Sequence, residues 1–269
     1  MDWGMKNRLA RIIKPETGRA LMLAVDHGYF LGPTSGLEDL GKTVIPLLPY
    51  TDSLMLTRGA LRNCIDPNFP VPIVLRISGG NSVLEEDLSN EDLTVSIEDA
   101  IRLNASAITM SIYVGSPHQH QTIVNLAKTV DMGEKYGIPV LAVTAVGKNM
   151  VRDERYLSLA CRIAAETGAH MVKTYYCEGF DQLVKKCPIP VVIAGGKKTE
   201  ELAALELAYK ALGDGAVGVD MGRNIFQAES PVAMIQAVRS IVHEGNSVKK
   251  AYELYTGLKE SITLITSEE

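Results

Sequence analysis

PVLAVTA (139–145), HMVKTYY (170–176) and IPVVIAGG (189–196) are three short, nearly continuously apolar runs, and the first two are separated by the amphipathic helical stretch Val151–Thr167. Apolar runs of this length without alternation are how parallel strands buried on both faces read. Working outward, the same kind of run recurs as ALMLAVD (20–26), DSLMLTR (52–58), VPIVLRI (71–77), AITMSIY (107–113) and AVGVDMG (216–222), which makes eight in all. Helical patterns lie between them at Ser96–Asn104, His118–Tyr136 and Thr199–Leu212, and Pro231–His243 follows the last run. Glycines at 137, 168 and 215 follow helix ends and precede strands, where a left-handed cap is expected. Repeated strand–helix alternation implies a closed barrel or a doubly wound sheet. No GxGxxG follows the first strand, so the expectation is a TIM (β/α)8 barrel, a fold that typically needs about 250 residues. Nothing in the composition divides the chain, so residues 1–269 are expected to be one domain. After Gly245 the sequence predicts an extra C-terminal helix with Tyr252, Leu254, Tyr255 and Leu258 as its apolar stripe, packed on its own barrel or on a neighbouring subunit.

Net charge of -5 argues against nucleic acid or an anionic membrane as partner. The longest apolar runs are strand-sized, and the opening MDWGMKNRLARIIK lacks the apolar core of a signal peptide, so the expected location is cytoplasmic. Four scattered cysteines without a CxxC pair read as reduced core filler. His118 and His120 have the wrong spacing to share a helix face and lack a third ligand, so no metal is expected.

In such a barrel the chemistry sits at the C-terminal ends of the strands. Every one of those ends carries polar or glycine residues. Lys173 lies inside an apolar strand, where lost solvation favours the neutral amine, a nucleophile toward ketones that yields an iminium. The bland reading is a lysine paired with Asp26 or Asp220. Asp26 and His27 end strand 1: a carboxylate could set the lysine's charge state and an imidazole could shuttle protons near neutral pH, or Asp26 simply caps a turn. Gly195, Gly196 and Lys197 after strand 7, with Gly222 and Arg223 after strand 8, occupy the places where barrels bind a substrate phosphate, although ordinary turns would read alike. GGKKT is not a P-loop, since Val191 stands at the first glycine position and Lys198 where Ser or Thr is required. Tyr113 and Tyr175 are candidate proton donors or core tyrosines. Arg58, Ser78 and Gly79, also at strand ends, are candidate substrate contacts. The strand-5 end, Thr144 through Lys148, is a further polar end.

VDHG after strand 1, VKTYY on strand 6, IAGGKK on strand 7 and VDMGRNIFQ after strand 8 resemble the Schiff-base class I aldolases of the DeoC/FbaB family, over essentially residues 2–258. The resemblance implies that Lys173 is the Schiff-base lysine, Asp26 and His27 an acid/base pair, and Gly195, Gly196, Gly222 and Arg223 a phosphate cradle. Aldolases of this group carry a proton-donating Tyr near the end of strand 5, and PVLAVTAVGK has none. That departure directs the resemblance toward a thiolase subgroup. Its members cleave a phosphorylated hydroxy-diketone with coenzyme A as co-substrate, giving acetyl-CoA and dihydroxyacetone phosphate in autoinducer-2 catabolism. A ring-type homo-oligomer, such as a decamer, is implied as well. A class I aldolase acting on dihydroxyacetone phosphate or fructose phosphates, and a non-catalytic sugar-phosphate sensor, are the alternatives.

Overall fold

A computed structural model describes residues 1–145 and 151–267. All eight expected strands form: β1 (Ala20–Ala24), β2 (Ser53–Thr57), β3 (Ile73–Arg76), β4 (Ala107–Ile112), β5 (Val140–Thr144), β6 (Met171–Thr174), β7 (Val191–Ala194) and β8 (Gly218–Met221). They are parallel, each is bonded to its sequence neighbours, and β8 closes onto β1 from Ala20↔Gly218 to Leu23↔Met221. The barrel is a TIM barrel. Both faces of each strand are apolar because each face meets protein. Met22, Met55, Val74, Leu141, Met171 and Val192 fill the interior, while Leu21, Leu23, Leu54, Leu56 and Val219 meet the surrounding helices.

The two mouths differ. Helix Trp3–Ile12, capped by Asp2 accepting from the Met5 amide at 2.7 Å, sends Ile12 with Leu9 and Ile13 into the interior cluster and plugs the N-terminal mouth. At the same end, buried Asp52 accepts from the Leu21 amide (2.6 Å), from His243 (2.7 Å) and from Arg239 (3.3 Å), tying the strand starts to helix Pro231–Glu244. The C-terminal mouth is left for chemistry. There the long β3–β4 connection folds back, pairing Ser78–Gly79 antiparallel with Asp92–Leu93 and so drawing Glu91 over the mouth.

The C-terminal helix Val248–Ser267 packs on helices Glu201–Gly213 and Pro231–Glu244 of its own barrel. Its packed stripe is buried Ala251 and Tyr255 with half-buried Leu258 and Ile262, a 3.6-residue row. Tyr252 and Leu254, expected on that stripe, are each 37% exposed, because their positions point off the row. Among the described residues no helix is long and apolar enough to cross a membrane. Cys161 and Cys177 are core filler as expected, and burial pushes the Cys161 thiol up to about 12.

Candidate active site

Strand alternation sets the inward row of β6 as Met171 and Lys173, while Thr174 turns outward and its hydroxyl meets that of Thr144 at 2.8 Å. Lys173 is 9% exposed, and its Nζ lies 2.8 Å from Asp220 Oδ2 and 3.8 Å from Met55 Sδ. Asp220, on the inward row of β8, is sealed from solvent, and its Oδ1 has no hydrogen-bond partner among the described residues. Burial pushes its carboxyl above the ordinary carboxylate range, and the Lys173 charge pulls the other way without cancelling the effect. Of the two carboxylates the sequence offered as partner for Lys173, the structure selects Asp220.

Asp26 continues the inward row of β1 and is paired elsewhere: Arg76 Nε donates to its Oδ2 at 2.9 Å, with both side chains almost fully buried. Burial acts to raise this carboxyl, but Arg76, Lys173 and His27 together outweigh it and hold it below the usual range. Arg76 was passed over in the sequence reading, although a charge inside VPIVLRI is the same signal that drew attention to Lys173. Its Nη1 donates to Ser111 Oγ at 2.8 Å and, more weakly, to Ser78 Oγ at 3.4 Å. Ser78 in turn donates to Glu91 at 2.7 Å. Tyr29 and Tyr113 also donate to Glu91, at 2.6 and 2.9 Å. Burial, together with the neighbouring Glu91 charge, pushes both tyrosine hydroxyls well above their ordinary value. Glu91 could not be found from sequence, since it lies in a polar loop whose return path only the fold shows.

His27 does not match the expected shuttle near neutral pH. Burial lowers its imidazole to about 4, with Lys173, Arg223 and Arg76 adding to the effect, so the ring is neutral at physiological pH. Its Nδ1 is sealed without a partner among the described residues, and its ring packs edge-on against Phe226.

The turns after β7 and β8 are brought together. Asn224 Nδ2 donates to the Gly195 carbonyl at 2.7 Å, and its Oδ1 accepts from the Thr199 amide at 2.9 Å. This fully buried asparagine, missed in the sequence, clamps the two turns. Gly196 has φ +72 in open space. A Cβ on Gly222 would run into the Ala24 carbonyl oxygen and stand 2.6 Å from His27 Cε1. Arg223 opens the short helix Arg223–Phe226 and its Nε is sealed without a partner among the described residues, while Lys197 is exposed.

The remaining candidates divide. Ser78 and Tyr113 join the network just described, and Gly79 lies against the Tyr29 ring, where a Cβ would stand 3.3 Å from it. Tyr175 is instead covered by the Arg152 guanidinium at 3.8 Å from its ring centre. Arg58 is a correction. The inward row of β2 passes through Ser53, Met55 and Thr57, so Arg58 turns into the helical layer and pairs with Asp99 at 3.1 Å, as Arg62 also does. His118 sits at the N-cap of helix Gln119–Tyr136 without capping it, 4.0 Å from Asp87. No cluster that could hold a metal occurs among the described residues. The strand-5 end beyond Ala145, including Lys148, lies outside the described residues.

Comparison with known proteins agrees with this geometry. A family model described as DeoC/LacD family aldolase matches residues 20–228. An uncharacterized aldolase of Pasteurella multocida is 57% identical over 256 residues, covering 95% of this chain and 88% of that one. The 3-hydroxy-5-phosphonooxypentane-2,4-dione thiolases of Photorhabdus laumondii and Escherichia coli K12 are 56% and 54% identical, each covering 97% of this chain and 89% of theirs. An archaeal fructose 1,6-bisphosphate aldolase superposes with a TM-score of 0.79 at 26% identity, covering 90% of this chain and all (100%) of its own. Another archaeal fructose-1,6-bisphosphate aldolase, solved with its catalytic Lys covalently bound to the carbinolamine intermediate, gives 0.79 at 25%, covering 89% of this chain and 99% of that one. The chain belongs to the DeoC/LacD family of aldolases.

Proposed function

We propose that this chain is a Schiff-base thiolase: it cleaves 3-hydroxy-5-phosphonooxypentane-2,4-dione with coenzyme A to acetyl-CoA and dihydroxyacetone phosphate. The observation that carries the reading is Lys173, a buried amine on the inward row at the chemical mouth, 2.8 Å from a carboxyl that burial has pushed up. Moving one proton across that contact leaves a free amine beside a neutral acid, and the free amine is the form that attacks a ketone. Condensation with the ketone next to the phosphorylated carbon gives an iminium that draws electrons from the adjacent carbon–carbon bond. Thiol attack on the neighbouring acetyl carbonyl breaks that bond, and the resulting enamine is protonated and hydrolysed. The turns at Gly195–Gly196 and Gly222–Arg223 hold the phosphate, with the Arg223 guanidinium as its charge partner. Support for the thiol as acceptor comes from the relatives at 54–56% identity that bear the thiolase name, and from the strand Val140–Thr144, which carries no tyrosine.

The test is cleavage of the diketone phosphate by the purified protein with and without coenzyme A. Acetyl-CoA formed in step with dihydroxyacetone phosphate supports the reading. Cleavage at the same rate without the thiol would make water the acyl acceptor, with acetate as product, and would contradict the thiolase reading.

A further inference from the structure

Strand β3 places a permanent charge inside the barrel at Arg76, among Ile73, Val74 and Leu75. A buried ion pair recovers its desolvation cost only when its remaining hydrogen-bonding groups are also satisfied, and apolar replacement often serves stability as well or better. Stability alone is therefore a weak reason for this pair. The guanidinium is also unevenly held. Nε and Nη1 make its hydrogen bonds, to Asp26, Ser78 and Ser111, whereas Nη2 makes none among the described residues. Tyr29 covers one face of the group, 5.1 Å from guanidinium carbon to ring centre. Glu91, 1% exposed, holds Tyr29 and Ser78 in place and fixes Tyr113 beside them. The Nε and Nη1 side of the guanidinium is thus locked, and the Nη2 edge is the part left without a hydrogen bond among the described residues. Asp26 and Asp220 stand on the inward rows of the neighbouring strands β1 and β8, so their partners Arg76 and Lys173 face the same mouth.

We propose that Arg76 is a further catalytic residue, whose Nη2 edge receives the second carbonyl oxygen of a substrate carrying two carbonyls about the scissile bond. This rests on the thiolase reading above and assigns it a group for the acyl half of the reaction. When the thiol sulfur bonds to that carbonyl carbon, the π pair moves onto oxygen and the thiol proton passes to water. Collapse of the adduct re-forms the carbonyl, breaks the carbon–carbon bond and sends its electron pair into the iminium on Lys173. The enamine carbon then takes a proton from water, and hydrolysis frees the amine; nothing is oxidised or reduced. Full negative charge exists on that oxygen only in the adduct, so a fixed cation there favours the transition state over bound substrate. An aldol cleavage needs a base at this place to take the hydroxyl proton, and a guanidinium, protonated at all working pH values, cannot serve as one.

The test uses the full-length protein, the diketone phosphate, coenzyme A, and in parallel borohydride trapping of dihydroxyacetone phosphate. Arg76→Gln is expected to lower thiolysis kcat by on the order of 10²–10³-fold while trapping on Lys173 stays within about threefold of wild type. Arg76→Lys, which keeps a charge for Asp26, is expected to fold normally by near-UV circular dichroism and to fall between the two, and it decides the matter if the Gln variant does not fold. Thiolysis retained within about threefold in the Gln variant, or trapping and thiolysis lost in parallel in both variants, overturns the proposal. A wild-type protein that traps the ketone but shows no thiolysis removes the thiolase reading itself, and this assignment with it.

Discussion

Lys173 and Asp220 stand 2.8 Å apart on alternate strands of the barrel, the carboxyl fully sealed and the ammonium nearly so. They are the one lysine–carboxylate pair on the interior row among the described residues, and burial pushes Asp220 up even with the lysine beside it. A carboxyl whose folded pKa lies above its unfolded value stabilises the fold at low pH and loses that contribution as pH rises. Asp220→Asn is therefore expected to raise Tm at neutral and alkaline pH, by about 2–4 °C for each kcal/mol gained. The same change should slow adduct formation on Lys173. Calorimetry at pH 8 checks the first part; a lower Tm in the variant would contradict it.

His27 gives the opposite pH dependence. Its pKa falls from 6.5 to about 4 on folding, so the unfolded chain binds more protons between those values and stability is lost as pH drops through that window. The full effect is about 3 kcal/mol. An NMR titration of the ring should show it neutral from pH 5.5 to 8, and removing His27 should leave the shape of the activity profile between pH 6 and 8 unchanged. A ring signal titrating near pH 6.5 would rule this out.

Two glycines of the proposed cradle separate steric from conformational demands. Gly196 needs φ +72 but has open space, so Gly196→Ala should cost about 1 kcal/mol of stability. Gly222→Ala collides with backbone and with His27, and should cost more than that, raising KM for the phosphorylated substrate or failing to give folded protein. Thermal melts of the two variants side by side give the ordering; equal Tm losses would refute it.

Asp52 provides the control at the far mouth. Burial tends to raise it, but the hydrogen bonds from His243 and the Leu21 amide prevail and lower it, so its contribution is present above its unfolded pKa of 3.8 and fades below. Asp52→Ala strands the Leu21 amide and leaves His243 and Arg239 without their acceptor, and should cost about 2–4 kcal/mol. Catalysis sits at the other end, so kcat of the folded fraction should stay near wild type. A large kcat loss at preserved stability would break the division of labour between the two mouths.

The eight strands were legible because burial on both faces removes the alternation and leaves apolar runs such as ALMLAVD and PVLAVTA. Lys173 was legible as a charge in such a run. Arg76 carried the same mark in VPIVLRI and was equally legible. Glu91 was not, because its partners lie 13, 22 and 62 residues away along the chain and only the backfolded β3–β4 connection brings them together. Asn224 stands in a motif quoted from the sequence, yet its clamp on Gly195 depends on how β7 and β8 end side by side. Arg58 misled because the strand ends one residue earlier, at Thr57, which caps the helix Arg58–Cys64, so Arg58 belongs to the helical layer.

Borohydride reduction of the protein with dihydroxyacetone phosphate, followed by peptide mass mapping, tests the central claim most directly. The account predicts one reduced adduct, on the peptide carrying Lys173, absent when Lys173→Met is treated alike, with thiolysis in that variant lower by at least about 10³-fold. No adduct on the folded wild-type protein, or an adduct that persists in Lys173→Met, would contradict it.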